Sequence, residues 1–190
     1  IASNADSLAT WLISAMGDVC HEYNVAVNFK LADENRTINY LKDGEVFGAL
    51  STHPHALPGC TFEKLGDVQF LLVASPSFVA RYFPKGVNQQ ALATAPAVAY
   101  DQKDEMHIDY IEQNFGLKRG SYPCHTVRSS EAFVNFAKHG IAYCLIPKLQ
   151  IQAELDSKEL VSLMPEHQII RTLYWHHWVL LKGVFKTFST

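Results

Sequence analysis

Val68-Gln69-Phe70-Leu71-Leu72-Val73-Ala74, followed at once by Ser75-Pro76, is the stretch on which the reading of this sequence turns. The run is short and almost continuously apolar, as a strand buried on both faces is, and the proline just beyond it ends it. A second run, from Ile169 to Trp178, is a long strand by the same criteria. Read together, the two are crossings between lobes. The chain leaves the first lobe along 68–74 and returns to it along 169–178. The expected organisation is a discontinuous lobe I, residues 1–72 plus 169–190, and a continuous lobe II, residues 73–168, with a cleft between them.

Working outward, strands and helices alternate. Apolar residues at 8, 11, 12, 15, 16 and 19 have helical spacing, which predicts a helix from Leu8 to Tyr23 with Ser7 as its N-cap. Val25, Val27, Phe29 and Leu31 alternate as in a half-buried strand. A short helix follows from Asp33 to Leu41, then a strand from Val46 to Leu50 ending at Ser51-Thr52, then a proline-containing loop from His53 to Gly59. Cys60–Leu65 and Val68–Ala74 read as two strands. Beyond Pro76 the pattern predicts helices near 78–82 and 89–94, a strand over 96–100 and a helix over 104–115 stopped by Gly116. It then gives a strand over 123–127, a helix from Ser129-Ser130 to His139 and a strand over 142–146. Pro147 reads as the first residue of a further helix, and 184–188 as the start of a last one. Such alternation predicts an α/β fold with largely parallel sheets.

Composition narrows the function classes. The 190 residues are 48% apolar and 18% charged, ordinary for a folded domain, and the formal net charge is −3. That balance argues against unspecific nucleic-acid binding by these residues, which requires clustered Lys and Arg. Charge is uneven: −5 over residues 1–72, −1 over 73–168 and +3 over 169–190. No apolar run has the length of a membrane helix. The chain opens Ile1-Ala2-Ser3-Asn4, without the basic and apolar regions of a signal peptide, and Ile1 reads as a processing or cut point. Cys20, Cys60, Cys124 and Cys144 are scattered without a CxxC pair and are expected to be reduced thiols in the cytoplasm.

In open α/β sheets ligands bind beyond the carboxyl ends of strands, against helix N-termini. The residues expected there are Asn4, Asp6, Ser7, Asp33, Ser51, Thr52, Asp101, Ser129, Ser130 and Glu131. Unpaired N–H groups at helix starts, with Ser129-Ser130 and Ser7, would hold a carboxylate. Asp6, Asp33 and Asp101 would pair with ammonium or guanidinium groups. Such a set suits a zwitterion carrying an extra positive charge. Thr52 and Trp11, one turn into the first helix, would shape the cleft. Each of these residues also has a plainer reading as a cap or turn residue. No nucleophile elbow, Walker loop, dinucleotide fingerprint or HExxH motif is present, so no catalytic residue is assigned. His53/His55 and His176/His177 lack partners at ligand spacing, so no metal and no cofactor is expected. Cys124 and His125 adjoin on a strand and point to opposite faces, which rules out a dyad between them.

The run Asn4-Ala5-Asp6-Ser7-Leu8-Ala9-Thr10-Trp11 resembles the start of the effector domain in the arginine- and lysine-responsive subfamily of LysR-type transcriptional regulators. Further matches follow in order along the chain. They are Tyr82-Phe83-Pro84, Asp104-Glu105-Met106-His107, Pro123-Cys124-His125, Ser129-Ser130-Glu131-Ala132-Phe133-Val134, Ile146-Pro147 with Leu149-Gln150-Ile151, and Leu173-Tyr174-Trp175-His176. The resemblance implies a type 2 periplasmic-binding-protein-like fold, two Rossmann-like lobes joined by two crossover strands. It implies a cytoplasmic, non-enzymatic sensor that takes lysine or arginine as effector in the interlobe cleft. It further implies homodimers through effector domains and a homotetramer in the full-length regulator. DNA would be reached only through an N-terminal winged helix-turn-helix, which this chain does not carry, and no membrane is involved. The C-terminal helix of such regulators looks altered or shortened after Trp178. Two other readings stay open: a stand-alone solute-binding protein for a small amino acid, and an α/β enzyme.

Overall fold

The computed structural model describes residues 1–189; Thr190, the last position of the expected lobe I, lies outside the described residues. In chain order the strands are β1 (Ala2–Ser3), β2 (Lys30–Leu31), β3 (Gly48–Ser51), β4 (Cys60–Ala74), β5 (Ala97–Ala99), β6 (Cys124–Thr126), β7 (Cys144–Pro147), β8 (Val161–Ser162) and β9 (Ile169–Trp178). The α-helices are α1 (Ala5–Ser7), α2 (Ile13–Tyr23), α3 (Thr37–Lys42), α4 (Pro76–Tyr82), α5 (Gln89–Leu92), α6 (Glu105–Phe115), α7 (Ser130–Lys138), α8 (Gln152–Asp156) and α9 (Val184–Thr187). The chain forms two compact units. Unit 1 is Ile1–Val68 with the chain from Arg171 on, and unit 2 is Gln69–Ile170, so the chain passes between them within β4 and within β9.

In unit 1 the sheet order is β2-β1-β3-β9. β1 pairs in parallel with both β2 and β3, whereas β9 runs antiparallel to β3, with Leu50 opposite Trp175 and Ala49 opposite His176. Successive residues point to opposite faces of the sheet. Ile1 and Leu50 therefore pack with Leu12, Met16 and Trp175 on the α2 side, while Ala2 and Ala49 pack with Ile38, Leu41, Val46 and Cys60 on the α3 side. In unit 2, β4 pairs antiparallel with β7 and β8, and β5 pairs in parallel with β6. Leu71 and Val73 of β4 pack with Ile146, Phe133 and Ala137, which buries one side of α7. The expectation of largely parallel sheets thus gives way to mixed ones. Strands joined through helices run parallel, but the two long strands that change unit run against their neighbours.

Several elements depart from their predicted limits. Asn4, in an extended conformation, is the N-cap, and Ser7 is already helical, because the first helix starts at Ala5. It continues through a π-helical turn, Leu8–Leu12, into α2. The alternating run from Val25 forms only the two-residue β2. The third helix starts at Thr37, after a turn built on Asp33. β4 is one strand rather than two. Gly66-Asp67 reads as a break, yet it lies in an exposed stretch of a continuous strand, where Asp67 is held by Lys64 (3.0 Å) and Thr172 (2.6 Å). Pro147 ends β7 and precedes a short 3-10 turn, Lys148–Gln150. Gly116 ends α6 at φ +67°, as the sequence predicts, whereas Asp104, read as the first helical residue, is its N-cap and accepts the His107 N–H (3.0 Å).

Gly48 makes the close approach that unit 1 needs. A Cβ there would sit 2.2 Å from the Trp175 ring, so only glycine lets the indole lie across β3. Gly48→Ala is expected to cost about 1–3 kcal/mol through overpacking, measured as a lowered urea midpoint with an unchanged m-value.

Three histidines are buried, two of them in a way that opposes protonation. His176 Nε2 lies 2.8 Å from the His53 carbonyl, so it donates there and Nδ1 is left as a buried acceptor without a partner among the described residues. His177 has the opposite tautomer, donating through Nδ1 to the Trp178 carbonyl at 3.0 Å. His107, in unit 2, stacks on Tyr143, and neither ring nitrogen has a partner among the described residues. Burial pushes His107 and His176 below the ordinary imidazole value of 6.5, outweighing the Asp104 charge at His107 and the His53 carbonyl at His176. Protonation therefore favours the unfolded chain. Their contribution to stability should be constant well above pH 6.5 and be lost as pH drops below it. Urea midpoints at pH 7.5 and 5.5, compared with those of His107→Phe, check this, the variant losing less on acidification.

Candidate functional site

In unit 1 the parallel strands β2, β1 and β3 end side by side, which brings Asn4, Asp33, Ser51 and Thr52 to one edge of the sheet. Several of these groups are committed to the fold. The Ser51 hydroxyl, fully buried, donates to the Glu34 carbonyl at 3.0 Å and accepts from the His53 N–H. Thr52 donates its hydroxyl to Asn35 Oδ1 at 2.5 Å and its N–H to the Glu34 carbonyl at 3.4 Å. Asp33 accepts the Asn35 N–H on its carboxylate (3.0 Å) and the Arg36 N–H on its carbonyl (2.8 Å), making the turn that leads into α3. Asn4 stands apart. Its side chain makes no cap hydrogen bond, and Oδ1 is buried without a partner among the described residues, although the residue is only 5% exposed. A buried amide oxygen left unpaired costs about 1–3 kcal/mol and is a ready acceptor for a ligand N–H.

Asp6 lies in the first turn of the first helix, where a carboxylate is favoured by the helix dipole, and its carbonyl accepts from Thr10 Oγ1 at 2.7 Å. Ser7 is buried inside that turn. Trp11 does not stand with the strand-end residues. It packs on the α2 face of the sheet with Leu12, Met16, Leu50 and Trp175 and lines a cavity of about 320 Å³ there. A second cavity of unit 1, about 490 Å³, is lined by residues that precede β2 and β3, among them Val27, Asn28, Gly44 and Glu45.

In unit 2 the ends of β5 and β6 bring Asp101 beside the start of α7. The Asp101 carboxylate accepts the Lys103 N–H at 2.7 Å and pairs with Arg128 at 3.3 Å. It is therefore a turn residue that already faces a cation. Ser129 caps α7 by accepting from the Ala132 N–H (3.2 Å) and donates to Glu131 Oε2 (3.1 Å). Ser130 donates to Gln150 Oε1 at 2.7 Å. With both serine hydroxyls engaged, the groups suited to an anion here are the first-turn N–H groups of α7 and the exposed Arg128 guanidinium.

Sequence reading missed Arg128, Glu34 and Thr37. Arg128 acts on Asp101 across 27 residues, and no local pattern announces such a pair. The other two serve through a backbone carbonyl and a buried hydroxyl, and the Thr37 hydroxyl also reaches the Leu50 carbonyl. Among the described residues no group of three or more His, Cys, Asp or Glu side chains is placed to hold a metal ion, and no helix is long and apolar enough to cross a membrane. The four cysteines are thiols, outside any disulfide among the described residues. Ser129→Ala should remove the α7 cap and lower stability by about 1 kcal/mol, read from the thermal midpoint.

Comparison with known proteins places these features. The LysR substrate binding domain family matches residues 1–177. The chain is 50% identical to the HTH-type transcriptional regulator ArgP of Aeromonas salmonicida and 49% identical to that of Photobacterium profundum, over the whole chain and 63% of each relative. It thus spans less than two thirds of the length of these curated relatives, which are named as regulators and not as enzymes. Among solved structures, the C-terminal domains of a LysR family protein from Agrobacterium tumefaciens are 34% identical, with a TM-score of 0.87 over 94% of this chain and 86% of that one. ArgP from Mycobacterium tuberculosis is 27% identical with a TM-score of 0.83, over 99% of this chain and 63% of that one. Full-length LysG from Corynebacterium glutamicum with bound effector Arg is 26% identical, also with a TM-score of 0.83 and the same coverage. The fold is the type 2 periplasmic-binding-protein-like α/β fold of such domains, and the chain belongs to the LysR substrate binding domain family, similar in sequence to the ArgP regulators.

Proposed function

We propose that this chain is the effector-sensing and dimerisation part of a cytoplasmic transcriptional regulator, and that it binds lysine or arginine between two lobes, residues 1–72 with 169–190 and residues 73–168. The observation that carries this reading is the carboxyl edge of unit 1, where Asn4 offers a buried, unpaired oxygen beside Asp33 and Ser51. An acceptor-rich edge suits ammonium or guanidinium groups, with Asp33 and Asp6 supplying charge. The helix α7 start in unit 2, with Arg128, suits the α-carboxylate. LysG, which carries bound Arg in its described structure, supports the ligand class. Asp101, already paired with Arg128, then acts by holding that guanidinium in place rather than by meeting the ligand's cation.

The mechanism is differential binding. Effector favours one arrangement of the lobes, and that preference passes through the dimer, and through a homotetramer, to DNA-binding domains outside these 190 residues. The solute-binding and enzymatic alternatives have no observation in their favour, since the relatives bear the names of regulators.

A thermal-shift screen over the twenty amino acids tests the ligand class. Lysine or arginine at 100 times its dissociation constant should stabilise by about 2.7 kcal/mol, a shift of several degrees. Asn4→Ala should weaken that binding about tenfold without lowering the free protein's midpoint, because it removes a buried oxygen that makes no cap bond and has no partner among the described residues. A response to another ligand class, with none to lysine or arginine, overturns the reading.

A further inference from the structure

The cavity on the α2 face of unit 1 plays no part in the effector proposal, and its chemistry is different. One wall is a helical stripe, Trp11, Ala15, Met16 and Val19, in which Trp11 belongs to the π-helical turn. Wider turns of this kind occur frequently at functional sites. Trp175, Leu65 and Phe188 line it as well. Trp175 is held rigidly: its ring lies across Gly48 with no room for a Cβ, and its Nε1 donates to Ser189 Oγ at 3.1 Å. A wall fixed on two sides exists before any ligand arrives, which lowers the ordering cost of binding. The volume, about 320 Å³, falls within the range of roughly 300–1,000 Å³ typical of small-molecule sites.

Charge selects the occupant. Among the described residues Glu63, at the exposed rim, is the only ionisable side chain lining the cavity, and no lysine, arginine or histidine lines it. The backbone nitrogen of Ile1 donates to the Asn28 carbonyl, 2.9 Å away. Indole faces attract cations, tryptophan most strongly of the aromatic side chains. We propose that this cavity is a second small-molecule site, for an organic cation with an apolar body such as an arylalkylammonium. The apolar part would lie between Trp11 and Trp175, and the ammonium would face Glu63. The site is independent of the strand-end residues and of the identity of their ligand.

The test uses 2-phenylethylammonium with two near-isosteres, neutral 2-phenylethanol and anionic phenylacetate, followed by the ¹H–¹⁵N signals of the three indoles. The cation should bind about tenfold more tightly than the anion. It should move the Trp11 and Trp175 signals and leave Trp178, which lines the other cavity, in place. Glu63→Gln should bring the three probes within about twofold of one another, and Ala15→Phe should fill the cavity and abolish binding. Saturating arginine and lysine should leave the titration unchanged. Equal affinity for the three probes, no binding, shifts confined to Trp178, or displacement by arginine or lysine would each overturn the proposal. If Ala15→Phe does not fold, the Glu63→Gln comparison and the indole shifts still decide it.

Discussion

The peptide carbonyl of Glu34 holds the carboxyl edge of unit 1 together. It accepts from the Thr37 hydroxyl (3.1 Å), the Ser51 hydroxyl (3.0 Å) and the Thr52 N–H (3.4 Å). Without it, the buried Ser51 hydroxyl would lose the acceptor that offsets its desolvation. The carbonyl thereby ties the end of β3 to the turn that follows β2 and to the first residue of α3. Ser51 and Thr52 have their positions fixed by this knot, and Asp33 by the turn beside it. The uncommitted Asn4 oxygen is informative because its neighbours are so thoroughly engaged.

The two units solve the same problem with opposite polarity. In unit 1 the strand ends present oxygen atoms: the Asn4 amide, the Asp33 carboxylate and backbone carbonyls. In unit 2 they present N–H groups and a guanidinium, with Asp101 neutralised locally by Arg128. The difference lies in which atoms remain after capping and turn formation have taken their share. Residue type alone does not reveal it, since both edges are rich in Ser and Asp.

Legibility in the sequence followed the range of the forces involved. Ser129 and Gly116 are readable because a cap or a left-handed stop is decided within one helical turn. β9 was readable to the residue because its long run is set by burial and alternation. β4 was misread as two strands because Gly66-Asp67 resembles a turn, while pairing partners distant in sequence keep the strand continuous. Ser7 reads as the cap in place of Asn4 because the π-helical turn disturbs the spacing between the true cap and the apolar stripe. The candidate site was legible as a set of strand-end positions. It was not legible as a set of roles, because the occupancy of each hydroxyl or carboxylate depends on residues such as Arg128, Gln150 and Glu34, which come from elsewhere in the chain.

The π-helical turn at Leu8–Leu12 has a consequence for how such a domain diversifies. Adding or removing one residue in a regular helix rotates everything beyond it by about 100° and would swing Leu12 and Met16 out of the core. A turn that already accommodates the longer spacing separates the two halves of the helix. The segment carrying Asn4, Asp6 and Ser7 can change length or twist while the half that packs on Leu50 and Trp175 keeps its register. The fold thus contains a mechanical joint between the turn that carries Asn4, Asp6 and Ser7 and the part that keeps the sheet covered.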